Sequence, residues 1–136
     1  MPISGQNKTR PRSLMHYESL SLVSVDGRSH ALFNKLASLN LTLPYYTFED
    51  QKWSRIDEIE TSKRPQILVQ GNLQSIKTSF ATLALLERGF EVFFLVERPQ
   101  YLQLPEWHRL QSAQAIPISP MTCLSEIEYG LKNSKN

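Results

Sequence analysis

Two residues of this sequence have the types and placement to do chemistry together: Asp26, just after the apolar residues Leu20, Leu22, Val23 and Val25, and Lys77, six residues beyond Gly71. Side by side they would form an ion pair. A desolvated Lys77 with a lowered pKa would be a nucleophile toward carbonyls, although the common fate of a lysine is to reach solvent. The segment around Lys77 reads Gly71, Asn72, Leu73, Gln74, Ser75, Ile76, Lys77, Thr78 and nearly meets the phosphate-wrapping pattern G-x-x-x-x-G-K-S/T. It fails at Ile76. Consecutive backbone N–H groups wrap a phosphate only where a glycine allows it, and a β-branched side chain resists that geometry and crowds the anion. Asp26 and Lys77 are therefore the candidate catalytic residues, and Gly71, Asn72, Gln74, Ser75, Lys77 and Thr78 form the candidate binding loop. No cofactor is expected. His16, His30 and His108 are too scattered for a metal site, and the single cysteine, Cys123, cannot form an internal disulfide.

The elements that must position these residues alternate along the chain. Residues 67–69 are apolar without alternation, as are residues 92–96, which suits strands covered on both faces. Gly71 turns the chain into a helix, and Gly89 stands where a left-handed C-cap is wanted. Between them Ile76, Phe80 and Leu83 recur at helical spacing, and this stripe is expected to pack on the sheet. That is one β-α-β unit.

Upstream, residues 20–25 predict a first strand, followed by a helix capped by Ser29 with Leu32, Phe33, Leu36 and Leu39 on one side and Asn40 near its end. Residues 41–48 predict a second strand, placed near a sheet edge because Pro44 lacks a donor. Residues 49–62 are polar and acidic, with Trp53, Ile56 and Ile59 at weak helical spacing, and read as a loop with a short helix. Downstream, Pro105 opens a helix through Trp107 and Leu110 to Gln114, and residues 115–119 form a short strand. Thr122 is expected to cap a last helix with Leu124, Ile127 and Leu131 inward.

Strands alternating with helices define an α/β fold, a three-layer α/β/α sandwich with a mostly parallel, Rossmann-like sheet. Ligands of such sheets lie beyond the carboxyl ends of the strands, an edge that would carry Asp26, residues 71–77, Glu97 and Arg98. Glu97 and Arg98 read most simply as a solvated strand end, Cys123 as a small buried apolar residue, and Tyr101, Trp53 and Trp107 as packing over the ends of the sheet.

Composition sets the outer limits. With 136 residues, 40% of them hydrophobic and 21% charged, the chain can bury one core of its own. Residues 1–16 hold Lys8, Arg10 and Arg12 with no acid and are expected to be a flexible basic tail, leaving 17–136 as a single α/β domain. A net charge of +2 gives no nucleic-acid signal. No apolar run approaches the roughly 20 residues that span a bilayer. The N-terminus lacks the apolar core of a secretory signal, so an intracellular protein is expected, in the cytoplasm or alternatively an organelle matrix.

Leu85, Leu86, Glu87, Arg88, Gly89, Phe90, Glu91, Val92, at ungapped spacing from Gly71, resemble the isochorismatase-like cysteine hydrolase superfamily. There a strand leads to a G-I-E-T-H-V-C turn, a helix reading much like T-A-L-D-L-L-E-R-G-Y-E-V and another buried strand. Residues 109–127 are similar to the family's last helix, strand and terminal helix, and residues 39–51 to a segment ending in a T-E-Q-like turn. The resemblance implies a catalytic Asp, Lys and Cys. Asp26 occupies a place comparable to the Asp, whereas the cysteine position falls on Lys77. The segment that carries the family's lysine is missing between residues 52 and 64, and Leu73, Gln74, Ser75 replace Glu-Thr-His at the oxyanion turn.

A lysine ammonium is a poor substitute for a thiolate. The expectation is therefore a reduced, catalytically inactive domain that acts as a binding or structural component of an assembly, either a homo-oligomer or a subunit of a larger complex, with residues 1–16 as an arm. Two alternatives stay open. One is a small-molecule hydrolase or carbonyl-directed enzyme using Lys77 and Asp26; the other is a degenerate P-loop-like nucleotide binder.

Overall fold

A computed structural model describes residues 14–25, 31–38, 43–48 and 63–133, apart from the side chains of residues 33, 37, 38 and 133. Its strands are β1 (Leu20–Val25), β2 (Tyr45–Phe48), β3 (Gln66–Gln70), β4 (Glu91–Leu95) and β5 (Ile116–Ile118). The helices are α1 (Ala31–Ser38), α2 (Ile76–Glu87), α3 (Pro105–Ser112) and α4 (Pro120–Asn133). All strand pairs are parallel, in the order β2-β1-β3-β4-β5. The expected α/β sandwich is the fold observed.

The unbroken apolar runs are explained by two cores. β1 and β3 are buried along their whole length, and successive side chains are dealt to opposite faces. Val23, Val25, Ile67, Val69, Val92 and Phe94 meet α2 and α3 through Ala81, Leu85, Trp107 and Leu110. On the other face, Leu20, Leu22, Leu68, Phe93 and Leu95 meet α1 and α4 through Leu32, Leu36, Cys123 and Ile127. β2 lies at the sheet edge, as Pro44 requires; the strand starts after the proline, whose carbonyl accepts from the Leu22 N–H at 2.8 Å.

The packing face of α2 differs from the expectation. Its buried residues are Thr78, Ser79, Ala81, Thr82 and Leu85, whereas Ile76 is 76% and Phe80 58% exposed and Leu83 is half-buried. The sheet already brings Phe94, and α3 brings Trp107, into this core, so α2 contributes a face of mostly small residues that lets its backbone approach closely. A stripe of Ile76 and Phe80 would overfill the same space.

Helix ends follow their local chemistry. Gly89, at φ 94°, closes α2 in a Schellman arrangement: its N–H reaches the Leu86 carbonyl at 3.0 Å and the Phe90 N–H the Leu85 carbonyl at 3.3 Å. Gln114 repeats the device after α3 with φ 81°, so the helix stops at Ser112, short of Gln114 itself. The cap of α4 is Ser119, not Thr122. Its Oγ accepts from the Thr122 N–H at 3.1 Å, and Pro120 takes the first helical position, where no N–H is needed.

Residues 14–16 are tied to the sheet and to α4. Met15 is 1% exposed and its N–H donates to Glu126 Oε1 at 2.8 Å. The buried Gln66 side chain accepts from the His16 N–H at 2.7 Å and donates to the Leu14 carbonyl and Glu91 Oε1, both at 2.9 Å. Met15 and His16 thus belong to the packed structure. Residues 1–13, Asp26, Ser29, His30, Leu39, Asn40, the start of the second expected strand and the 49–62 segment with Trp53, Ile56 and Ile59 lie outside the described residues. Among the described residues no helix is long and apolar enough to cross a membrane.

Candidate functional site

The strand order reverses direction between β1 and β3: one connection leads outward to β2, the others to β4 and β5. Helices that leave two neighbouring strands toward opposite faces open a crevice at their carboxyl ends. A cleft of about 500 Å³ lies there, lined by Val25, Gln70, Gly71, Asn72, Gln74, Glu97, Arg98 and Tyr101.

Gly71 is required by space rather than by dihedral. A Cβ on it would stand 2.8 Å from Thr78 Oγ1 and 3.0 Å from Val25 Cβ, both fully packed. Gly71→Ala is expected to destabilise the fold by about 1–3 kcal/mol through overpacking, read as a lower urea midpoint; a midpoint equal to the parent's would show that this wall can yield.

The loop after Gly71 uses its polar groups on itself. Asn72 Oδ1 accepts from the Gln74 N–H at 3.0 Å, and the Asn72 carbonyl from the Ser75 N–H at 2.9 Å. Ser75 is the N-cap of α2, accepting from the Lys77 N–H at 3.3 Å. Of the six candidate loop residues, Gly71, Asn72 and Gln74 line the cleft and Ser75 caps the helix. Lys77 is exposed on the first turn of α2, outside the cleft lining. Thr78 is fully buried behind Gly71, and its hydroxyl has no partner among the described residues. Val25, the residue before Asp26, lines the cleft; Asp26 itself is outside the described residues.

Sequence reasoning missed a polar chain on the other wall. Ser24 and Gln70 are paired in register on β1 and β3, and Ser24 Oγ donates to Gln70 Oε1 at 2.9 Å. Gln70 Nε2 donates in turn to Glu97 Oε2 at 3.0 Å. Ser24 is 0% and Gln70 7% exposed, so the chain runs from the interior to a half-buried carboxylate at the cleft. The available signal was a polar residue at or near the carboxyl end of two otherwise apolar strands.

Cys123 lies in α4 on the opposite face of the sheet from α2, 0% exposed, its thiol against Met15 Sδ at 3.5 Å. Burial first, and the Glu126 carboxylate second, push its pKa up from 9.0 to about 12. The unfolded chain then loses this proton above pH 9.0 while the folded one keeps it to about 12, so this thiol's contribution to stability is full below 9.0 and declines as pH rises through that window. The alkaline loss of stability should be smaller in Cys123→Ala than in the parent, measured by denaturation across pH 8.5–11 (roughly the window set by the two ionisations). Among the described residues no group of three His, Cys, Asp or Glu could hold a metal ion.

No family model and no curated protein matches the chain. Solved structures do. YcaC from Pseudomonas aeruginosa, in a structure with hexane-2,5-diol and covalent acrylamide, is 15% identical over 91% of this chain and 87% of its own, with a TM-score of 0.62. The YcaC gene product from Escherichia coli, described as an octameric hydrolase of unknown specificity, is 14% identical over 91% and 86%, with a TM-score of 0.63. At such identities the likeness is one of fold: this chain has the α/β fold of YcaC.

Proposed function

We propose that this chain is a non-hydrolytic isochorismatase-like domain that serves as a binding or structural component of an assembly, with a second copy of itself as the partner. The observation that carries this reading is the fate of sulfur and lysine. Cysteine hydrolases attack a carbonyl with a thiolate and pass through a thioester. At the position where the resemblance places that thiolate stands the exposed Lys77. The one sulfhydryl, Cys123, is behind the sheet, and with a pKa near 12 roughly one in a hundred thousand is ionised at pH 7. A carbonyl-directed lysine needs desolvation, which an exposed Lys77 lacks.

The assembly half of the reading rests on α2. Ile76 and Phe80 stand one turn apart on its outer face, 76% and 58% exposed, with the half-buried Leu83 continuing the stripe. Two large apolar side chains on one helical face are what a self-complementary interface uses. The octameric state described for the Escherichia coli YcaC supports self-association on this fold. Light scattering should give a mass that is a multiple of 15.7 kDa; a clean 15.7 kDa species at micromolar concentration would overturn the reading.

A further inference from the structure

We propose that the cleft beyond β1, β3 and β4 binds a small zwitterion of amino-acid type, with its ammonium on Glu97 and its carboxylate on Arg98. The acceptor is prepared in advance. The Glu97 carboxylate can only accept, so it takes the amide N–H end of Gln70, and the Ser24 hydroxyl, which can donate or accept, then donates to the carbonyl end; the amide orientation is fixed by Glu97 and completed by Ser24. Gln70 is 7% exposed and Ser24 fully buried, so the orientation is protected from water. A carboxylate anchored this way is half-desolvated and positioned before a ligand arrives, which strengthens its attraction for a cation and lowers the ordering cost of binding.

Arg98 supplies the opposite charge. It follows Glu97 in extended backbone, lines the same cleft, is exposed, and makes no side-chain hydrogen bond or ion pair among the described residues. Its guanidinium is a planar fork suited to a carboxylate. A simple anion entering the cleft would meet Glu97, and a simple cation would meet Arg98. A molecule carrying both charges meets each with its complement. The cleft volume of about 500 Å³ falls in the range of small-molecule sites.

The test is a titration of the whole chain, followed by the Gln70 side-chain amide resonances, with L-alanine and with its two halves, propionate and ethylamine. Saturable shifts with L-alanine at least about tenfold tighter than with either half are expected, with a loss of at least about tenfold in Glu97→Gln and in Arg98→Ala. Glu97→Gln keeps an oxygen for Gln70 Nε2, so the polar chain and the fold survive while the charge is removed. No saturable shift with L-alanine, equal binding of propionate, or binding that both variants retain would overturn the proposal. Solution mass reads the α2 surface and this titration reads the cleft, so failure of one leaves the other standing.

Discussion

Trp107→Ala is expected to lower the unfolding free energy by about 3–5 kcal/mol, the largest effect of any single truncation proposed for this fold. Trp107 is 1% exposed in the first turn of α3, and its ring is tilted against Phe94 of β4 at a centroid distance of 6.1 Å. Removing it deletes the bulkiest fully buried side chain among the described residues. Most of the cost comes from lost burial and the cavity left behind, with about 0.5–1.5 kcal/mol from the aromatic pair. Its neighbour His108 is exposed, so His108→Ala should change stability by less than about 0.5 kcal/mol. Urea denaturation of both variants decides the matter. A loss below about 1 kcal/mol for Trp107→Ala would mean that α3 does not close this core as described.

Phe80→Asp is expected to reduce the assembly to a 15.7 kDa monomer while leaving secondary structure and urea midpoint unchanged. Phe80 is 58% exposed on the isolated chain, so a charge there is solvated in the monomer. In a two-copy contact through α2 the same carboxylate would be buried without a partner, which costs several kcal/mol and tips a micromolar association to monomer. The readout is light scattering beside circular dichroism. A variant that keeps the parent's multimeric mass would place the interface elsewhere; one that loses secondary structure would show that Phe80 serves the fold.

These two residues mark how far the sequence could be read. The strands were legible because residues 67–69 and 92–96 are apolar at every position, and only a sheet covered on both faces requires that. Gly89 was legible because a helix end needing a positive φ has few other solutions. Pro44 marked the edge strand because it cannot donate to a second neighbour. The face of α2 was not legible. Its sequence carries two stripes at helical spacing, Ile76, Phe80, Leu83 and Thr78, Ala81, Thr82, Leu85, and hydrophobicity favours the first. Which one is buried depends on how much volume β4 and α3 have already filled, and Phe94 and Trp107 leave room only for the small one.

The candidate site divides in the same way. The sequence by itself determined that residues 71–78 include no cysteine and that Lys77 is one of them, because residue types are local facts. It also determined that residues 71–77, Glu97 and Arg98 belong near one edge, because parallel strands all end on the same side. Only the tertiary structure decided which of these face the cleft, turned Lys77 outward and Thr78 inward, and joined Ser24, Gln70 and Glu97 into one hydrogen-bonded chain. Those outcomes depend on strand register and on the roll of α2 over the sheet. Register pairs Ser24 with Gln70 across 46 positions of sequence, a separation at which no local pattern carries information.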